Sequence, residues 1–390
     1  EVAARRDRFR RRRRAFGRVR AGRAQVGIIG GGMSGLMCAS RLVRLGGVDV
    51  TVWDKGRIKA GGKATSRSMD AGRFVFDHGA QFFTAEDKRF VAVAEAWRKL
   101  GLAKRWEEWD SGVVGVLERG TYRPLPPGTP APYIGQPNMG AIAEYLSKRV
   151  SVRRNKQVLR MGKRDEFWDI FTGRGPKVAT YDAVVLAHTG KSALKLANTA
   201  RVPSIQRLAE SMQVQAPDDE QVLQESPLWV AMVAFKRPVP VPIDAAFVRG
   251  SRLLSWVCNN NKKLGMPFEG TECWTLISTR AFAVRNKAAP EGTPYHFAER
   301  ITDDLLREFE ELVGLEEESL LPIYWKAQLW QSAVPLNISH GSEFIWDDEN
   351  RLGMCGDWCV KPGIEGAVIS GIEMANKLHD ALANGNAGVS

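Results

Sequence analysis

A short apolar run that ends in a glycine-rich turn constrains the fold of this chain more than any other feature. Residues 26–30 read VGIIG, and the GGMSG that follows completes the pattern G-x-G-x-x-G. Apolar residues then recur at helical spacing from Ser34 to Leu45, and VDVTVWD at residues 48–54 has the pattern of a second buried strand. A strand, a glycine turn, a helix and a strand in this order indicate a βαβ unit with parallel strands.

The glycine turn predicts a site for the pyrophosphate of a dinucleotide. Gly30 allows the tight turn, Gly32 lets the backbone approach the phosphates, and Gly35 lets the helix pack closely on the strand. Met33 and Ser34 lie in the same motif, where the helix N-terminus favours negative charge. An ordinary glycine turn is the alternative, but the strand before the motif and the helix after it favour dinucleotide binding.

Charged residues after the second strand extend the predicted site. Asp54 ends that strand, where a carboxylate accepts hydrogen bonds from the hydroxyls of an adenosine ribose. Gly62 then precedes Lys63, whose ammonium group would neutralise a pyrophosphate as a point charge.

Residues 357–367 have the features of a site for the ribityl chain and flavin ring, the end of the ligand opposite to the adenosine. Asp357 follows a late strand, where a carboxylate would bind a ribityl hydroxyl. Glu365, Gly366 and Ala367 open a helix whose N-terminus would face the pyrimidine edge of a flavin and stabilise negative charge there. An N-capping aspartate and an ordinary helix start explain these residues equally well, so both interpretations stay open.

The rest of the chain predicts a second, mostly antiparallel β domain. We therefore predict an α/β fold in which a discontinuous Rossmann-type domain is interrupted twice by a β domain that would carry the substrate site. The predicted ranges are a basic arm (1–24), the Rossmann-type domain (25–95, 138–200 and 345–385) and the β domain (96–137 and 201–344).

The basic charge of the chain is concentrated in the arm. The net charge is +12, and residues 1–24 contain eleven arginines and two acidic residues, a net +9 that leaves +3 for all other residues. Such a segment is typical of a disordered extension or of a plastid or mitochondrial targeting sequence. The alternative is contact with RNA, an anionic lipid surface or an acidic partner protein, including a larger protein complex.

The composition argues against a membrane-spanning protein, a disulfide-rich secreted protein and a metalloprotein. No run of eighteen apolar residues occurs, so we expect no transmembrane segment. The five cysteines include no CxxC pair, which favours an intracellular, reducing compartment, and the five scattered histidines predict no metal site. The tryptophans of the β domain are expected mainly in its core.

Several segments together resemble the renalase-like, FAD-dependent oxidoreductases of the flavin amine oxidase superfamily. They are VGIIGGGMSGL, WDKGR with GGKATSR, FDHGAQFFT, YIGQPNM, YDAVVLA and LGMCGDW with GIEGAVISG. The resemblance covers about residues 25–383 and implies non-covalent FAD under a second domain. By position it assigns the ADP half of FAD to Gly30, Gly32, Ser34, Gly35, Asp54, Lys55 and Lys63, the adenine to the backbone of Val158, and the ribityl and flavin side to Gln81, Asp357, Glu365, Gly366 and Ala367.

The chain departs from the family pattern at three places. Lys63 replaces an arginine, His188-Thr189-Gly190 replaces a Val-Pro turn, and Gln328-Leu329-Trp330 replaces His-Arg-Trp. The resemblance implies an oxidoreductase that passes a hydride from a small reduced substrate, of dihydronicotinamide or amine type, to FAD. Because of the departures, a flavoprotein fold retained as an assembly subunit and docked by its arginine-rich arm is the alternative. A flavin-free NAD(P) dehydrogenase would leave Asp357 unexplained.

Overall fold

A computed structural model describes residues 23–200, 202, 224–289, 292–339 and 341–386. Residues 384–386 are described by their backbone alone. The predicted basic arm therefore lies outside the described residues, apart from Arg23 and Ala24. The described residues form two compact units. Unit 1 comprises those up to Gly62, those between Ala143 and Gln224 and those from Asn337 onward, whereas unit 2 comprises those of Lys63–Ile142 and Glu225–Leu336.

Short strands and helices alternate along the described residues. The strands are β1 (Ala24–Ile29), β2 (Val48–Trp53), β3 (Ser66–Met69), β4 (Phe74–Asp77), β5 (Ala103–Arg105), β6 (Val114–Glu118), β7 (Thr121–Pro124), β8 (Tyr133–Gly135), β9 (Ser151–Arg153), β10 (Arg160–Arg164), β11 (Phe167–Phe171), β12 (Ala179–Tyr181), β13 (Ala183–Leu186), β14 (Glu225–Phe235), β15 (Ala245–Arg249), β16 (Leu254–Asn259), β17 (Glu272–Ser278), β18 (Pro322–Pro335), β19 (Ile345–Asp347) and β20 (Leu352–Met354). The helices are α1 (Met33–Leu45), α2 (Lys88–Lys99), α3 (Gly140–Ser147), α4 (Gly190–Ala197), α5 (Asn260–Leu264), α6 (Arg280–Arg285), α7 (Tyr295–Leu312) and α8 (Ile364–Asn386). Within the described ranges, no helix combines the length and the apolar character needed to cross a membrane.

The main sheet of unit 1 confirms the predicted βαβ unit. Its strand order is β19-β20-β13-β1-β2-β9, and β1 runs parallel to both β2 and β13. Ile29 pairs with Trp53 on one side and with Leu186 on the other, and β19 is the antiparallel strand at the edge. Because parallel strands end at the same edge of a sheet, the loops after β1, β2 and β13 meet there.

Both faces of this sheet are covered, which explains why its strands are nearly continuous apolar runs. Val26 and Ile28 pack with Leu42 of α1 and with Met374 of α8 on one face. The other face packs against the antiparallel sheet β10-β11-β12, which contributes the fully buried Trp168. The α/β, Rossmann-type class predicted for this part is confirmed.

Unit 2 is built on a seven-stranded sheet with the order β18-β14-β17-β16-β15-β6-β7. All its pairings are antiparallel except that of β15 with β6. The amphipathic helix α7 buries Ile301, Leu305 and Phe309 in the same core as Trp274 and Leu276 of β17. Each such side chain stabilises the fold by about 1.5–3 kcal/mol when fully buried. The predicted, mostly antiparallel second domain is confirmed.

The division between the units differs from the predicted ranges after Gly62. Residues 63–95 were expected in the Rossmann-type domain, but the structure groups them with unit 2 because β4 packs against β17. The Asp77 N–H donates to the Asn260 side chain at 3.0 Å, and the Thr275 hydroxyl donates to the Asp77 carbonyl at 3.2 Å. β10 begins at Arg160, two residues after Val158.

A fully buried ion pair connects several elements of unit 2. Lys263 Nζ lies 2.8 Å from Asp77 Oδ2, and neither side chain is exposed to solvent. Asp77 Oδ1 also accepts the Met139 N–H at 3.0 Å and the Ser66 hydroxyl at 2.5 Å. Lys263 Nζ in addition donates to the Gln81 carbonyl at 3.2 Å. The pair therefore holds β3, β4, α5 and the loop before α3 together.

We expect Lys263→Met to lower the free energy of unfolding by about 3–5 kcal/mol, because it leaves the Asp77 carboxylate buried without its cation. The matched control is Lys262→Met on the exposed face of the same helix, expected within about 0.5 kcal/mol of the unmodified protein. Urea unfolding of both variants measures the difference, and equal stabilities would show that the pair has no structural importance.

Candidate dinucleotide-binding site

The glycine turn between β1 and α1 has the geometry that the motif predicts. Gly30 has φ +118°, and a Cβ atom at Gly35 would lie 2.0 Å from the Gly30 carbonyl oxygen. Both positions therefore need glycine for the fold itself. Gly32 differs, because its φ is −77° and, its two chain neighbours aside, no heavy atom of the described residues lies within 4 Å of a Cβ placed there. Nothing in the fold requires glycine at position 32, so its empty surroundings suit the close approach of a ligand.

Asp54 fixes the two loops that border this turn. Its Oδ2 accepts the Gly31 N–H at 2.9 Å, and its Oδ1 accepts the Gly56 N–H at 2.7 Å. The Gly61 N–H donates to the Gly31 carbonyl at 2.6 Å, which brings Gly62 close to the Gly32 Cα. Each oxygen of a carboxylate accepts more than one hydrogen bond, so the predicted ribose contact of Asp54 is compatible with these bonds.

The segment after β9 holds the end of β2 in place. The Asp54 N–H donates to the Arg153 carbonyl at 3.0 Å, and the Lys156 N–H donates to the Asp54 carbonyl at 2.9 Å. The predicted adenine residue Val158 follows, buried in the core and ahead of β10. A cavity of about 370 Å³ adjoins this predicted adenosine end. It is lined by Thr51, Trp53, Arg153, Lys156, Thr172, Val178, Ala179 and Tyr181.

The N-terminus of α8 is shaped by two glycines and an ion pair. Gly363 has φ +112°, and a Cβ atom at Gly366 would lie 1.9 Å from the Lys361 carbonyl oxygen. The buried Glu365 carboxylate lies 2.8 Å from Lys361 Nζ, so its charge is compensated. The Ala367 N–H donates to the Gly363 carbonyl at 3.1 Å, which leaves the preceding N–H groups as those without an intrahelical partner.

α8 crosses α1 close to the glycine turn. A Cβ atom at Gly371 would lie 2.3 Å from the Ser34 carbonyl oxygen, so the two backbones are nearly in contact. The loop after β20 is attached to the same helix, because the Gly356 N–H donates to the Ser370 hydroxyl at 3.0 Å. The next residue, Asp357, is buried at the start of a one-turn 3₁₀ helix. The N-terminal parts of both helices and Asp357 therefore lie in one region of unit 1.

His188 belongs to this region, although in the sequence it stands out only as a departure from a family pattern. Its ring follows β13, and a Cβ atom at Gly30 would lie 3.1 Å from it. The Trp358 indole donates to the His188 carbonyl at 3.0 Å, whereas His188 Nδ1 is buried without a hydrogen-bond partner among the described residues. Burial, and then the charge of Lys55, lowers the pKa of His188 to about 4. The sequence signal that could have identified this position is a histidine directly after a buried parallel strand.

Two of the predicted residues lie in unit 2, and all the others lie in unit 1. The Lys63 carbonyl accepts the Ala80 N–H at 2.8 Å. The Gln81 amide donates to the Asp77 carbonyl at 2.6 Å and accepts from the Trp256 indole at 3.3 Å. The Gln81 side chain therefore organises its own loop, and its flavin contact stays a prediction.

The region of unit 1 fits a phosphate-bearing dinucleotide such as FAD. It offers helix N-termini, an open position beside Gly32, the exposed cation Lys55 and the unpaired Nδ1 of His188. These are the groups that bind a pyrophosphate and orient the rest of a dinucleotide. Within the described part of the chain, no group of three or more His, Cys, Asp or Glu side chains is placed to hold a metal ion.

Comparisons with known proteins agree with this geometry. A family model described as an NAD(P)-binding Rossmann-like domain matches residues 28–97. Reduced UDP-galactopyranose mutase is similar in structure, with a TM-score of 0.62 and 12% identity over 94% of this chain and 99% of that one. Cyclohexylamine oxidase from Brevibacterium oxydans has a TM-score of 0.57 and 13% identity over 93% of this chain and 100% of that one. A putrescine oxidase variant has a TM-score of 0.59 and 12% identity over 92% of this chain and 99% of that one. The chain therefore shares its fold with these proteins, and the renalase-like assignment stays a prediction.

Gly32→Val tests the open position in the turn. We expect the FAD-free variant to lose at most about 1 kcal/mol of stability, since a Cβ atom meets nothing within 4 Å and valine is only a poorer N-cap residue than glycine, and its affinity for FAD to fall about tenfold or more. Gly35→Ala is the contrasting variant and should be destabilised because its Cβ clashes with the Gly30 carbonyl. Thermal unfolding and FAD titration provide the two readouts. Unchanged affinity in Gly32→Val would place the ligand elsewhere.

His188 should make the stability of the protein sensitive to acid. Its folded pKa of about 4 lies below the value of 6.5 expected when unfolded, so between these pH values only the unfolded state binds the proton. His188 should therefore contribute a decrease in the free energy of unfolding of about 1.4 kcal/mol per pH unit as the pH falls through this window, about 3 kcal/mol in all, in addition to the loss from His78, whose pKa is also lowered to about 4. His188→Gln should remove the contribution of His188, and the exposed His296→Gln should retain it. Urea unfolding between pH 7 and pH 4 gives the slopes, and parallel slopes would refute the assignment.

Proposed function

We propose that this protein is an FAD-dependent oxidoreductase that accepts a hydride from a small reduced substrate. The observation that carries the proposal is the near-contact of α1 and α8 at Gly371 and Ser34. It brings two helix N-terminal regions and the buried Asp357 together. One such N-terminus suits a pyrophosphate, and a second one suits a ring that becomes negative on reduction.

The second helix favours a flavin over a nicotinamide dinucleotide as the resident cofactor. A nicotinamide dinucleotide would account for the glycine turn and Asp54, as the matched Rossmann-like family model does. It would leave the late strand, Asp357 and the glycine-shaped start of α8 without a ligand. FAD accounts for both ends of the region, and the similar overall folds of two amine oxidases support this choice.

Each group of the chain has a proposed part in holding FAD. Asp54 binds the adenosine ribose, while Lys55 and His188 lie beside the pyrophosphate position at the Gly30 turn. Asp357 binds the ribityl chain, and the first N–H groups of α8 stabilise negative charge at the pyrimidine edge. When bound, FAD supplies a two-electron acceptor. The chain orients it, and we propose no acid, base or nucleophile among its side chains.

The substrate class rests on similarity. The putrescine oxidase and cyclohexylamine oxidase relatives are named for amines, and the renalase-like resemblance favours a dihydronicotinamide. Both kinds of substrate donate a hydride, so the proposal covers both. The arginine-rich arm, outside the described residues, is proposed to contact an anionic surface or a protein complex in a plastid or mitochondrion.

We expect the purified protein to show the absorption bands of oxidised flavin, and we expect denaturation to release intact FAD into the supernatant. Anaerobic mixing with a dihydronicotinamide or a primary amine should then bleach the bands by reduction. A colourless protein that takes up no added FAD would refute the proposal. Bound FAD that none of these donors reduces would favour the assembly-subunit alternative.

A further inference from the structure

One face of β18 in unit 2 carries a group of side chains that the FAD site does not use. Side chains of a strand alternate between its faces, so Lys326, Gln328 and Trp330 point to the same side. Arg67 of β3 donates to Gln328 Oε1 at 2.9 Å, and the Trp330 indole donates to the carbonyl of His78 at 2.7 Å. The Trp330 and His78 rings lie 5.6 Å apart. We call these five residues the basic face.

The basic face carries positive charge that no acid compensates. Among the described residues, no carboxylate forms an ion pair with Arg67 or Lys326, and Arg67 Nε is buried without a hydrogen-bond partner. His78 Nδ1 is also buried and unpaired, in a side chain that is 4% exposed. Burial, and then the charge of Arg67, lowers the pKa of Lys326. Burial and Arg67 likewise lower the pKa of His78 to about 4. The two cations therefore repel each other and disfavour protonation of the imidazole.

The nearest acid does not relieve this charge. Asp77 is the one carboxylate that raises the pKa of His78, but it lies 2.8 Å from the ammonium group of Lys263 and is neutralised there. Neighbouring cations repel each other, and buried donors without an acceptor are unfavourable in a folded protein. A bound anion would offset the repulsion and accept their hydrogen bonds. Arg67 presents a planar guanidinium fork, which matches the two oxygens of a carboxylate or a phosphate.

We propose that the basic face binds a carboxylate or phosphate group of the substrate. The inference rests on the proposed oxidoreductase function and narrows its substrate class. Arg67 forms the charge-assisted hydrogen bonds, Lys326 adds attraction and Gln328 holds the guanidinium in place. The partly exposed ring of Trp330, which packs on the buried His78, contacts the flat part of the molecule. The same charges repel a cationic amine, so this chain selects a different class from that of its amine oxidase relatives.

Calorimetric titration of the FAD-loaded protein with three probes of one shape tests the inference. Benzoate carries the negative charge, benzamide is neutral and benzylamine is positive. We expect benzoate to bind about tenfold more tightly than benzamide, as a charge-assisted pair predicts, and benzylamine to bind most weakly. Arg67→Gln and Lys326→Gln should abolish the preference for benzoate, whereas Arg67→Lys should retain part of it.

The matched control is Arg249→Gln, which removes one exposed cation of β15 and should leave the preference intact. If Arg67→Gln does not fold, the exposed Lys326→Gln carries the test. Equal binding of the three probes, tighter binding of benzylamine, or no binding of benzoate would each overturn the inference. A protein that takes up FAD and shows any of these results fails this inference alone, whereas one that takes up no FAD fails the proposed function.

Discussion

The close packing of backbones around the glycine turn is the constraint on which the site of unit 1 depends. At Gly35, Gly366 and Gly371, a Cβ atom would lie 2.0, 1.9 and 2.3 Å from a carbonyl oxygen of Gly30, Lys361 and Ser34. A single methyl group at any of these positions would separate the backbones. Gly371 lies about two turns into α8, so this contact fixes the path of α8 against the start of α1 and thereby sets where the N-terminus of α8 lies relative to the glycine turn. The electrostatic field at the site therefore depends on this backbone packing, which fixes the positions of the helix N-termini.

That packing also sets the charge of the region. His188 lies against the Gly30 turn, and burial together with Lys55 lowers its pKa to about 4, so its ring is neutral at neutral pH. The region thus offers an imidazole hydrogen-bonding atom without adding a second positive charge to that of the exposed Lys55. The negative charge of Glu365 would weaken the positive field at the N-terminus of α8. Lys361 Nζ lies 2.8 Å from the carboxylate and compensates that charge. Positive potential remains directed at the turn without the repulsion that several buried charges would create.

The sequence predicted the parts of this structure whose signals are local. The βαβ unit, the Gly30 turn and Asp54 at a strand end lie within about thirty residues, so pattern and spacing suffice. The unit 2 boundary did not follow, because β4 packs against β17, far along the chain. The hydrogen bond from Arg67 to Gln328 spans 261 positions, and no periodicity encodes it. Gln81 was predicted as a ligand by position, while its observed hydrogen bonds lie within its own loop and to the Trp256 indole.

Unit 2 contains two kinds of cation. A buried one is paired with a carboxylate and stabilises the fold, and two partly exposed ones are left for the proposed ligand. Lys263 is fully buried and is placed 2.8 Å from a carboxylate, as folding requires, since an unpaired charge there would cost several kcal/mol. Arg67 and Lys326 keep partial contact with solvent, and no carboxylate among the described residues pairs with either. Their repulsion is tolerable in the free protein and is relieved only by an anion. On the proposed function, substrate selectivity would then arise on β18 of unit 2, separately from the cofactor region of unit 1.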